Sequence, residues 1–203
     1  HPGSRFTIGS LETLKGDVKA DLIGFFAEHY SADQMGLVVL ANQSLDELEA
    51  LVTPLFNQIP NNNIGPSYPT TQAFTDLQLP AVLTSRSLKD TYQLAFNFPI
   101  PSTLDVYRNK PESYLSNLVG HEGEGSLHHF LNEKGWIESL GSGSQDFDRN
   151  TSLMIVNIEL TEAGRDHVAE ITDLLFQYFE MLRDQPPQDW LYQEQAKVAE
   201  LGF

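Results

Sequence analysis

In residues 92–98 the large side chains of Tyr92, Leu94, Phe96 and Phe98 alternate with Gln93, Ala95 and Asn97, and in 152–161 Met154, Val156, Ile158 and Leu160 share one side of a second run. A two-residue period places each set on one face of a half-buried strand. "WIESLGSGS" reads as a further strand running into a Gly/Ser turn, paired with the 152–161 strand as an antiparallel hairpin. Strands of this kind need an apolar layer on the buried face, and the remaining periodicity supplies helices.

Val18, Leu22, Phe25 and Phe26 recur at helical spacing between Val18 and His29. Ser44 and Glu47 form an S-x-x-E capping box ahead of a stripe of Leu48, Leu51, Val52, Leu55 and Phe56, with Pro54 kinking that helix or sitting near its end. "PESYLSNLVG" opens on Pro and closes on Gly120, and "SLHHFLNEKG" closes on Gly135. Thr161 is expected to cap a long helix with the stripe Val168, Ile171, Leu174, Leu175, Tyr178, Phe179, Leu182, and after "QPP" a last helix resumes at "QDWLYQEQAKVAE". "MGLVVLA" reads as a buried strand. The fold class expected is α+β, an antiparallel sheet with helices packed on it. The Asn-, Pro- and Thr-rich stretch from 61 to 78 reads as a linker between two structural units.

A formal charge of −16 and a pI near 4.5 leave no basic surface to displace counterions from nucleic acid or to meet an anionic membrane. No apolar run reaches the roughly 18 residues of a membrane span. With no cysteine, neither a thiolate nucleophile nor a Cys-ligated zinc is available. "HPGSRF" is no signal peptide, and the chain reads as a piece of a longer protein.

"GHEGEGSLHHF", residues 120–130, invites a metal-site reading. Neither H-E-x-x-H nor H-x-x-E-H occurs in the chain, and His121 and His128 lie about 10.5 Å apart along a continuous helix, too far to share one ion. A folded-back loop that gathers His121, Glu122 and His128 is the remaining metal reading. Glu122 and Glu124 oppose a phosphate cradle. Glycines at 120, 123 and 125 let another chain approach closely, the glutamates offer acceptors to a cationic amine, and "SLGSGS" could pair with an added peptide strand at a sheet edge. The plainer reading is that the glycines make turns. Trp136 and Trp190 read as packing anchors, Arg86 and Arg149 as surface charge.

In order, "HPGSRFTIGSLETL", "FFAEHYSADQMGLVVL", "FNFPIP", "YLSNLVGHEGEGSL", "KGWIESL", "IELTEAG" and "LFQYFEMLRDQPPQDWLYQE" closely resemble the insulinase/pitrilysin family of inverted zinc metallopeptidases over essentially the whole chain. The resemblance implies the insulinase-type fold: residues 1–60 the end of a catalytic-type unit, 79–203 most of a second, non-catalytic, substrate-binding unit truncated at its C-terminus. It implies a zinc endopeptidase acting on peptides or small unfolded proteins, closed against the C-terminal half of the same polypeptide, periplasmic in bacteria and largely cytoplasmic in eukaryotes. The family's zinc ligands, H-x-x-E-H and a downstream Glu, fall outside this chain. The fragment itself is therefore expected to have no catalytic residue, no metal ligand and no cofactor. By the same resemblance, an exosite that holds the amino-terminal end of a substrate maps to Leu140, Gly141 and Ser142 on a strand and to His121, Gly123 and Gly125 in the loop. Ser142 and Glu124 depart from the family pattern, which has a Gly and a Pro there. The alternative is a member that has lost its zinc site and works as a binding or assembly subunit.

Overall fold

The structure is a computed structural model that describes residues 1–5, 8–76 and 79–202. The chain divides into two compact units, His1–Gln72 and Ala73–Phe203.

The first unit carries α1 (Val18–His29), capped by the Asp17 carboxylate, and α2 (Leu45–Phe56), whose Ser44/Glu47 capping box forms as the spacing requires. Pro54 is accommodated inside α2. Between them a turn at Ser31–Asp33 ties the 60–65 segment down. Ser31, fully buried, donates to Asp33 and accepts from the Asn62 N–H at 2.8 Å, Gly65 N–H reaches Asp33 at 2.9 Å, and Ala32 N–H reaches Pro60 O at 2.9 Å. Those bonds, led by the one from Ser31, pull the Asp33 carboxyl down to a pKa of about 2. The strand expected in "MGLVVLA" does not form. Among the described residues nothing pairs with it, and Val38 and Leu40 stand almost fully exposed, since an extended run without a ladder partner has no strand to belong to.

The second unit contains β1 (Tyr92–Pro101), α3 (Pro111–Val119), α4 (Leu127–Glu133), β2 (Ile137–Asp146), β3 (Thr151–Leu160), α5 (Val168–Arg183) and α6 (Asp189–Leu201). The strands form an antiparallel sheet in the order β1-β3-β2. Tyr92 sits opposite Leu160, Leu140 opposite Ile158, and a bulge at Glu138 interrupts the start of β2. Met154, Val156, Ile158 and Leu160 are buried as the alternation requires, and with Ile137, Leu140, Val119, Leu127, Leu131, Ile171 and Leu175 they make the core. Burying a side chain such as Leu131 or Leu175 is worth about 1.5–3 kcal/mol. Phe176 and Phe179 of α5 meet the face of β1 edge-on, with Phe98 and Phe179 centroids 5.6 Å apart.

Two local expectations change. Thr161 does not cap α5. Its hydroxyl accepts from Gly164 N–H at 3.0 Å and donates to Gly135 O at 2.7 Å, bracing a short 3₁₀ turn, Gly164–His167, that precedes the helix. Gly143 and Ser144 belong to β2 rather than to a turn; the reversal falls later, where the Asp148 carboxylate accepts from the N–H groups of Asn150 and Thr151. Trp136 packs, stacked on His167 at 4.2 Å, whereas Trp190 is 66% exposed.

Candidate functional site

β2 lies at one edge of the sheet, bonded to β3 on one flank; among the described residues no strand occupies the other. β1 is the opposite edge, but Pro99 and Pro101 withhold the amides that a pairing strand would need. β2 has no proline, and its glycines are open: a side chain added at Gly141 or Gly143 would meet nothing within 4 Å.

A cavity of about 840 Å³ runs beside this edge. Leu140 through Ser144 form one wall, Ser113, Ser116 and Asn117 of α3 a second, the 120–123 loop a third, and Gln195 of α6 completes the lining. The walls are held by specific contacts. Gly120 closes α3 by donating to Ser116 O at 2.9 Å, and a Cβ there would lie 3.3 Å from the Ser142 nitrogen, so only glycine lets the loop rest against the strand without adjustment. At Gly123 a Cβ would come 2.7 Å from His121 Nε2: the imidazole folds over the space that the missing side chain leaves. Tyr114 OH accepts from the Gln188 N–H at 2.8 Å and fastens the start of α6 to α3, two helical turns before Gln195.

Five of the six residues singled out from the sequence, His121, Gly123, Leu140, Gly141 and Ser142, line this one cavity. Gly125 does not. At φ +84° it makes the turn into α4, where Ser126 caps the helix by accepting from His129 N–H at 3.1 Å, and it borders a separate hollow of about 570 Å³ between α4 and α5. Tyr178 in that hollow donates to Leu118 O at 3.2 Å, and burial pushes its phenol pKa up. Sequence reading missed Ser116 and Gln195. Ser116 stands three residues before the buried Val119 on α3, and that helical phase was the available signal; Gln195 had none.

The described residues do not fit a zinc centre. Among the described residues no three His, Asp or Glu side chains are placed to hold a metal ion. His121 is turned onto Gly123, and His129 pairs with Glu133 at 3.6 Å. What the site offers is main chain along β2, small side chains, hydroxyls and amides. That inventory suits an extended polypeptide laid against a sheet edge. No described helix is long and apolar enough to cross a membrane.

Residues 17–198 match the peptidase M16 inactive domain. The chain is 36% identical to "Insulin-degrading enzyme-like 1, peroxisomal" of Arabidopsis thaliana and 37% identical to the insulin-degrading enzyme of Homo sapiens, each over 211 residues that cover 100% of this chain and 22% and 21% of those proteins. A crystal structure of pitrilysin superimposes with a TM-score of 0.87 at 25% identity, covering 99% of this chain and 22% of that one. The chain spans about a fifth of the length of these relatives.

Proposed function

The chain belongs to the peptidase M16 family through its inactive domain, and from that premise we propose that it is the non-catalytic, substrate-anchoring part of a zinc-dependent endopeptidase, holding a peptide or small unfolded protein by strand addition to β2. The single observation that carries this reading is that, among the described residues, no strand pairs with the outer flank of β2, beside a cavity lined by main chain, glycine and small polar residues. An added strand pairs its amides and carbonyls with those of the edge and needs no particular sequence to do so, which suits an enzyme that takes varied peptides. Glu122 in the cavity wall attracts an amino terminus. Zinc, held by ligands outside this chain, would supply the activated water for hydrolysis; this part contributes grip and a chamber wall. Apolar side chains left open on the first unit, Phe25, Phe26, Val38 and Leu40 among them, support the rest of the same polypeptide as its packing partner.

N-methylation of the substrate peptide, one backbone amide at a time, tests the reading on the full-length polypeptide. In an antiparallel pair only alternate residues turn their amides to the neighbouring strand. Affinity falls at every second position if the peptide adds to β2. Losses without that alternation, or no losses, refute strand addition.

A further inference from the structure

The hollow between α4 and α5 shares no lining residue with the cavity beside β2, and its chemistry differs. Leu127 and Phe130 of α4 and Leu174 and Met181 of α5 give it an apolar lining. Phe130 is 44% exposed and Met181 47% exposed, so both are open to a molecule arriving from solvent. Most of its polar groups are already engaged: the Tyr178 hydroxyl donates to Leu118 O, Ser126 caps α4, and His129 reaches Glu133 at 3.6 Å. Charge comes from Glu124 and Glu133, both exposed, and no Lys or Arg is among the described lining residues. Lys134, the next residue, stands 4.9 Å over the rings of Phe130 and Trp136.

We propose that this hollow is a second binding site, one that takes a small amphipathic amine with an aromatic body. Its volume of about 570 Å³ falls in the range of small-molecule pockets. A docked helix does not suit it, because the seven residues of α4 offer only about 10 Å of groove, fewer than two turns. The aromatic body lies against Phe130, Leu174 and the polarizable sulfur of Met181, removing apolar surface from water on both sides. The ammonium group meets Glu124 and Glu133 where they remain hydrated, so neither charge has to be stripped of water to bind it. An anion built on the same body meets two like charges in a chain that carries −16.

The experiment titrates the full-length polypeptide with naphthylethylamine and, separately, with naphthylacetate, the affinity of each read by calorimetry. The amine binds about tenfold tighter than the acid, the return on two exposed carboxylates that draw the cation and repel the anion. Glu124→Gln combined with Glu133→Gln brings the two affinities within about twofold, whereas Phe130→Ala weakens both and keeps their ratio. Isotope-labelled methionine methyl groups locate the amine: the signal lost in Met181→Leu shifts in the ring current of the bound naphthalene. Equal affinities for amine and acid overturn the proposal, as does a preference that the double variant leaves intact or an unmoved Met181 signal. The site does not rest on strand docking. A long peptide bound beside β2 leaves the amine affinity unchanged, and displacement of the amine by that peptide would place both on β2 and remove the separate site.

Discussion

Gly164→Ala places a methyl group where the backbone has no room. The added Cβ would lie 1.9 Å from the Trp136 carbonyl oxygen and 2.8 Å from its carbon, more than 1 Å short of the closest approach that real Cβ atoms make. Backbone rather than a flexible side chain must give way. The same carbonyl accepts from Thr161 N–H at 3.0 Å, while the Thr161 hydroxyl accepts from Gly164 N–H at 3.0 Å and donates to Gly135 O at 2.7 Å. Three hydrogen bonds at about 1 kcal/mol each and an overpacking cost of about 1–3 kcal/mol put the loss at about 4–6 kcal/mol. That is a large share of the roughly 5–15 kcal/mol that holds a domain. Hydrogen exchange of the β2, β3 and α5 amides reads the opening of this unit whatever else the polypeptide does. Gly143→Ala is the control: its Cβ meets nothing within 4 Å, and it stays within about 0.5 kcal/mol of the parent. A Gly164→Ala protein as protected as that control would refute the reasoning.

Further outcomes follow from individual contacts. Asp33, ordinarily near 3.8, titrates at about 2, so its bonds to the 60–65 segment are fully present above pH 3.8 and are lost as pH falls through 2; in Ser31→Ala the midpoint measured by carboxyl NMR moves up. Tyr178→Phe loses the bond to Leu118 O and costs about 1 kcal/mol. Because burial raises the Tyr178 pKa above 10.0, its neutral phenol contributes fully below that pH and the contribution drains away as pH rises through the raised value, visible in the ultraviolet titration of the ring. Metal analysis of the purified chain finds no stoichiometric zinc, and a one-to-one content would restore the His121, Glu122, His128 reading.

Periodicity carried the second unit well. The β1 and β3 alternation, the α5 stripe and the Pro111 and Gly120 punctuation all describe elements whose local pattern and tertiary burial agree. It failed where partners at a distance decide. "MGLVVLA" has the composition of a buried strand, but composition cannot supply a ladder, and its apolar side chains stay in water. The end of "WIESLGSGS" reads as a turn because glycine and serine favour turns, yet β3 keeps Gly143 and Ser144 in the sheet, opposite Ile155 and Met154. Thr161 was legible as a capping residue, but not the 3₁₀ turn it braces, which depends on Gly135 O lying 26 residues earlier. At the candidate site the loop and strand were visible as motifs. Ser116 was legible only through its helical phase with Val119, and Gln195 not at all, since nothing in the α6 sequence marks an amide for that cavity.

Residue-resolved hydrogen exchange of the intact polypeptide, with and without a long bound peptide, tests strand addition most directly. Alternate amides between Ser139 and Ser144 become protected when the peptide binds, while those along the outer flank of β1 do not change. Protection that appears on β1 instead, or that leaves the β2 amides exchanging as freely as in the free protein, would contradict it.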